Sequence, residues 1–218
     1  MRKKLFFTNG NALQAGVAYC VGQNYATHAR EMGSAVPTSP IIFIKPPSSI
    51  VYDGDNIILP KISSNVHYEC ELVAVIGKDC HNIAKEQAKD YIAGYGVGID
   101  VTMRDLQAEA KRNGHPWAIA KGFATSAPIS KIVPAAEITS NFFDIELYQN
   151  GTLRQKVNTS QMERSIEELV AFLSSVYYLE EGDIIFTGTP EGVGPIAVGD
   201  KLKAILCGYV ELNVGVEE

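Results

Sequence analysis

Three times in this chain a Gly-Asp pair stands directly before an apolar run, at Gly54-Asp55, Gly182-Asp183 and Gly199-Asp200. Glycine reaches the left-handed backbone conformations that tight turns demand, and aspartate closes such turns with its own side chain. Each pair therefore predicts a turn that delivers a strand, and Asn150-Gly151 adds a hairpin-type turn. Between these marks lie short apolar or alternating runs: 41–44, 57–59, 69–76, 93–101, 143–149, 184–187, 202–206 and 210–214. Helical signals are fewer. Ser165 to Glu168 forms a capping box ahead of the stripe Ile166, Leu169, Val170, Leu173 and Val176. Residues 86–93 suggest a short helix, and Thr102 is placed to cap another over 103–112 that Asn113-Gly114 ends. The expected class is α+β, mainly β, with a rolled or barrel-like architecture and a few short helices.

At 218 residues, 46% of them hydrophobic, the chain suffices for one well-buried domain, so residues 1–218 are expected to form a single catalytic domain with 1–15 as a short lead-in. A net charge of -6 with scattered lysines and arginines offers no basic stripe for a nucleic acid or a membrane surface. Small molecules are the expected partners. Met1-Arg2-Lys3-Lys4 is followed only by Leu5-Phe6-Phe7 before Thr8-Asn9-Gly10 ends the apolar stretch, too short for a signal sequence. Cys20, Cys70, Cys80 and Cys207 lack metal-site or redox spacing, which predicts free thiols in a cytoplasmic protein.

The segment from Val66 to Gly77 carries the clearest chemical signal. Side chains alternate along a strand, so His67, Glu69, Glu71, Val73 and Val75 share one face and Tyr68, Cys70, Leu72, Ala74 and Ile76 the other. Two acids at the mouth of an apolar run need compensation. In the run 94–100, Gly94, Gly96 and Gly98 leave one face bare for a backbone or a ligand, and Asp100 emerges next on that face. Alone, Asp100 reads as a turn aspartate; with Glu69 and Glu71 it forms an oxygen-only donor set suited to magnesium or manganese. His67 reads as a supporting or structural residue, because hard cations favour oxygen.

Residues 24–33 read as a short helix with His28 and Glu31 three apart on one face. A carboxylate so placed orients an imidazole as a general base, although the spacing by itself fits a surface pair better. Glycines and prolines around it suggest a lid. The Thr187 to Pro195 segment offers hydroxyls and amides to an anion, or is a structural turn. Lys45 and Lys121 follow apolar runs and read as solvated strand ends, or as neutralisers of a bound carboxylate or enolate.

Together, Val21-Gly22-Gln23-Asn24-Tyr25, His28 to Met32, Phe43-Ile44-Lys45-Pro46, His67 to Leu72, Gly98 to Asp105 and Thr187-Gly188-Thr189-Pro190 resemble the fumarylacetoacetate hydrolase family, from about Cys20 to near the C-terminus. The similarity is greatest to its small acylpyruvate hydrolase and oxaloacetate decarboxylase branch. This resemblance implies a mixed β-roll, a homodimer, and Mg2+ or Mn2+ on Glu69, Glu71 and Asp100. It implies His28 and Glu31 as a catalytic dyad on a lid helix, Lys121 beside the metal, Thr189 as a contact to a substrate carboxylate, and Arg104 and Gln107 as substrate-side polar positions.

Both readings lead to a small 2-oxo acid substrate with the cation as electron sink. The leading expectation is hydrolysis of the carbon-carbon bond of acylpyruvates through a pyruvate enolate, with decarboxylation of oxaloacetate beside it. Oxaloacetate enol-keto tautomerisation is the main alternative, followed by isomerisation or decarboxylation of a dicarboxylic 2-oxo acid. Lys121-Gly122-Phe123 suits these relatives too and leaves the reaction open. A non-catalytic metal- or metabolite-binding β domain is the competing reading from another class.

Overall fold

The turns that punctuate the sequence adopt the backbone they were expected to need: φ is +87° at Gly54, +90° at Gly182 and +90° at Gly199. The computed structural model describes residues 2–31 and 37–218, without the side chains of His28, Ala29 and Glu31. A six-stranded sheet runs in the order Val133–Pro134, Ile92–Ile99, Cys70–Ile76, Ile184–Phe186, Ala18–Gly22, Ile41–Lys45. A five-stranded sheet runs Thr152–Asn158, Asp144–Gln149, Lys201–Leu206, Val210–Glu217, Asn56–Ile58. Most pairings are antiparallel, but Ile184–Phe186 lies parallel to Ala18–Gly22, and Val210–Glu217 parallel to Asn56–Ile58. The architecture is the expected mainly β, mixed one.

Alternation along Cys70–Ile76 divides the interior in two. Cys70, Leu72, Ala74 and Ile76 face a core shared with Leu147, Leu206, Leu212 and the helix residues Val170 and Leu173. Val73 and Val75 face a second core with Ile129, Ile132, Ile184 and Phe186. A strand covered on both sides is stabilised by roughly 1.5–3 kcal/mol per large buried apolar side chain. It makes a rigid carrier for the acids at its mouth.

The helix Ile166–Val176 starts at its capping box, where Ser165 Oγ accepts from Glu168 N and Glu168 Oε2 accepts from Ser165 N. Residues 85–91 form a 3-10 turn, shorter than the expected helix, because Ile92 already joins the sheet. The helix Arg104–Asn113 ends at Gly114 in the left-handed conformation, φ +67°. Its start departs from expectation: Thr102 belongs to the two-residue strand Thr102–Met103 and does not cap. Its hydroxyl is occupied elsewhere, as the site shows. The first helix spans Ala26–Glu31, and the lid expected around it falls largely on 32–36, outside the described residues. No helix among the described residues is long and apolar enough to cross a membrane.

Candidate metal centre and active site

Antiparallel register assembles the acids. Glu71 pairs with Gly98 and Cys70 with Ile99, so the next step places Asp100 opposite Glu69, closed by a hydrogen bond from Asp100 N to Glu69 O of 2.8 Å. Residues directly opposite in such a ladder point to the same face. The expected single strand is interrupted at Glu69: Val66–Tyr68 joins a small three-stranded sheet while Cys70–Ile76 continues in the large one. Glu69 thus sits at the joint between two sheets. The glycine face is filled by the protein itself, since a Cβ on Gly94 would stand 2.3 Å from Val133 O and one on Gly98 2.6 Å from the Phe186 ring. Only Asp100, past the last glycine, reaches the mouth.

One carboxylate oxygen from each of Glu69, Glu71 and Asp100 can be chosen so that all lie within 4.8 Å of one another, and all three residues are buried. His67 is not in this group; its Nε2 lies 2.8 Å from Asn65 Oδ1. Lys121, which the local pattern alone would also fit as a solvated strand end and the family resemblance sets beside the metal, ends the short helix Ala118–Lys121 and is 2% exposed. Its three ammonium hydrogens reach Asp100 Oδ2 at 2.6 Å, Thr102 Oγ1 at 2.7 Å and Glu69 Oε2 at 2.8 Å. Burial opposes its charge, but Asp100 and Glu69 hold its pKa above the usual lysine value. Lys121 therefore stays an ammonium at neutral pH.

Lys45 is also fully buried rather than solvated. Its Nζ lies 2.8 Å from Asp100 Oδ1, yet its hydrogens go to the carbonyls of Val101 at 3.1 Å, Ser126 at 2.9 Å and Lys121. Asp100 Oδ1 accepts no hydrogen bond among the described residues. Its lone pairs remain available beside a balancing charge. Arg104 pairs with Glu69 Oε1 and donates to Gln107 Oε1 at 2.8 Å. Glu71 differs from its neighbours: it has no ion-pair partner among the described residues, and its Oε2 accepts from Gly188 N at 2.7 Å. Burial first, then the charges of Asp100 and Glu69, push its pKa well above the usual carboxylate range.

This donor set fits a hard divalent cation. Three oxygen ligands converge and, among the described residues, one has no ion-pair partner and another keeps an oxygen that accepts no hydrogen bond. The turn after Ile184–Phe186 supports the same strand, because Thr187 Oγ1 donates to Leu72 O at 3.0 Å and Thr189 Oγ1 to Cys70 O at 2.9 Å. Gln155, without any sequence signal, crosses from the other sheet: its Oε1 accepts from Cys70 N at 2.9 Å and its Nε2 donates to Thr189 Oγ1 at 2.8 Å. A cleft over the acids is lined by Val21, Gly22, Gln23, Phe43, Arg104, Gln107, Lys111, Trp117, Lys121 and Thr189. Lys121, Arg104, Gln107 and Thr189 are thus brought together with the acids. The backbone of His28 and Glu31 lies in the helix Ala26–Glu31, and their side chains are outside the described residues. A wider hollow of about 600 Å³ on the five-stranded sheet, around Tyr148, Ile205 and Gly215, has no carboxylate in its lining.

Fold and site together define a β-rich protein with a buried three-carboxylate centre, and residues 17–216 match the family described as Fumarylacetoacetate (FAA) hydrolase C-terminal. The chain belongs to that family. It is 43% identical over 199 residues to the mitochondrial oxaloacetate tautomerase FAHD1 of Bos taurus, covering 91% of this chain and 90% of that one. It is 42% identical over 192 residues to the oxaloacetate tautomerase YcgM of Escherichia coli K12, covering 87% and 88%. Among solved structures, fumarylpyruvate hydrolase from Pseudomonas aeruginosa in complex with Mn2+ and pyruvate superposes with a TM-score of 0.95 at 39% identity, covering 99% of this chain and 96% of that one.

Proposed function

We propose that this protein is a Mg2+- or Mn2+-dependent enzyme of small 2-oxo acids whose leading reaction is the enol-keto tautomerisation of oxaloacetate. The observation that carries the reading is the convergence of Glu69, Glu71 and Asp100, with Glu71 in no ion pair among the described residues. A divalent cation held there would supply an electron sink for the carboxylate and keto oxygens of such an acid. Lys121, whose three hydrogens are committed to Asp100, Thr102 and Glu69, contributes a fixed positive charge beside the acids that favours developing negative charge on substrate oxygen. His28, oriented by Glu31, is the proton acceptor in this reading.

The order of reactions differs from the one the sequence alone suggests. Tautomerases at 42–43% identity over nearly nine-tenths of both chains support placing proton transfer first. Hydrolysis of acylpyruvates is the second reading, supported by the fumarylpyruvate hydrolase at TM-score 0.95. It needs the same site plus a water activated by His28. The test is a panel of enol and keto oxaloacetate, acetylpyruvate and fumarylpyruvate, assayed with magnesium, manganese and chelator. Chelator-sensitive acceleration of oxaloacetate interconversion is expected; none on any substrate would refute the assignment. His28→Ala should suppress hydrolysis far more than it weakens Mn2+ binding measured by calorimetry.

A further inference from the structure

On the helix Arg104–Asn113, Arg104, Gln107 and Lys111 stand three and four residues apart and so share one face, and all three line the cleft. Arg104 is tied to Glu69 and Gln107, although its buried Nε finds no hydrogen-bond partner among the described residues. Gln107 uses its carbonyl oxygen on Arg104, and no hydrogen bond of its amide nitrogen is found among the described residues. Lys111 is the cation of the cleft without a carboxylate partner among the described residues. Its Nζ lies 5.0 Å from the centre of the Trp117 ring, and Trp117 is itself held against Phe43 at 5.7 Å between ring centres. A cation over an indole is attracted by the ring face, which fixes a side chain that otherwise costs rotamer entropy to immobilise.

The placement brings the charge into the cleft, since Lys111, Gln107, Glu69 and Glu71 all line it. Although the residue as a whole is exposed, partial burial of the ammonium, then the nearby Arg104 charge, lowers its pKa, while Glu69 raises it. A second anion in the cleft would relieve that burden.

We infer that Lys111, with the Gln107 amide, forms an anchor for a carboxylate at the far end of the substrate, so that the site selects dicarboxylic over monocarboxylic 2-oxo acids. This rests on the 2-oxo acid reading of the metal centre. Lys111 is a specificity determinant here; the proximal carboxylate and keto group belong to the metal side.

The test uses full-length protein loaded with Mg2+ and two probes, 2-oxoglutarate and 2-oxobutyrate, whose binding is measured by calorimetry for wild type, Lys111→Met and Lys111→Arg. Wild type should bind the dicarboxylate more tightly by about ten- to hundredfold, the range of one charge-assisted hydrogen bond. Lys111→Met, which keeps a stem over Trp117, should bring the two affinities to within about twofold, and Lys111→Arg should restore most of the preference. Wild type binding both probes equally, or Lys111→Met keeping the full preference, overturns the anchor and leaves the 2-oxo acid reading standing. Wild type binding neither probe overturns both.

Discussion

Gln155 offers a stringent test of how the site is held, because one carboxamide links the carrier strand to the Thr189 turn. It is 2% exposed, accepts from Cys70 N at 2.9 Å, and donates to Thr189 Oγ1 at 2.8 Å and Pro190 O at 3.1 Å. Gln155→Leu preserves most of the volume but leaves the Cys70 amide and the Pro190 carbonyl without partners. Each buried orphan costs about 1–3 kcal/mol, so the loss is about 2–6 kcal/mol. For a chain of this length that corresponds to a fall in Tm of roughly 5–20 °C, at about 2–4 °C per kcal/mol. Gln155→Glu keeps the acceptor for Cys70 but faces Pro190 O with another acceptor, and should lose more. Calorimetric melting of the metal-free proteins reads the first effect. Mn2+ titration reads the second: Cys70 lies between Glu69 and Glu71, so metal affinity should weaken as well. A Tm for Gln155→Leu within about 2 °C of wild type would refute the clamp.

Glu71→Gln should abolish the rise in Tm on adding Mn2+, while the metal-free variant melts at or above wild type, because a buried carboxyl group with no ion-pair partner among the described residues becomes a neutral amide and Gly188 N keeps its acceptor. Marked destabilisation without metal would contradict this account. Lys45→Met removes the Lys45 donor from the Val101 carbonyl, while Ser126 O keeps Val101 N and Lys121 O keeps Ser126 Oγ, and it leaves Asp100 without its neighbouring charge, so urea unfolding should show a loss of about 3–5 kcal/mol. Glu168 accepts from Lys85 and from Ser165 N, and its pKa lies below the usual value. Its contribution is therefore present above the unfolded carboxylate pKa of about 4.3 and lost as pH falls through the lower folded value. The Tm gap between wild type and Glu168→Ala should close on acidification; a gap that persists to acid pH would show that the carboxylate charge is not its source.

Features set by local chemistry were legible in the sequence. The Gly-Asp turns needed only glycine's freedom, and the Glu69, Glu71 and Asp100 grouping followed from strand alternation once two runs were read as neighbours. Other features depended on what lies across the fold. A lysine after an apolar run has the same local pattern whether solvated or interior, so Lys45 and Lys121 acquire meaning only from the carboxylates and carbonyls that receive them. Thr102 has a capping residue's chemistry, but Lys121 offers its hydroxyl a charged donor and the strand pairing with His67 fixes its backbone. Gln155 is a glutamine in an exposed-looking strand, and nothing near it in sequence signals Cys70. Ala18–Gly22 was not anticipated as a strand: it is buried along nearly its whole length, so no alternation marks it.

The Lys45 ammonium also bears on the order in which the chain folds. Its acceptors on Val101, Lys121 and Ser126 and its counter-charge on Asp100 come from segments up to 81 residues away. A dehydrated ammonium missing any of these partners would be strongly penalised, so the edge strand Ile41–Lys45 gains little by docking before they are in place. The pocket around the acids should then close late, as one cooperative step, with amide protons near Val101 and Ser126 exchanging in concert rather than by separate fraying. The charge that steadies Asp100 thus makes the centre a reporter of completed folding.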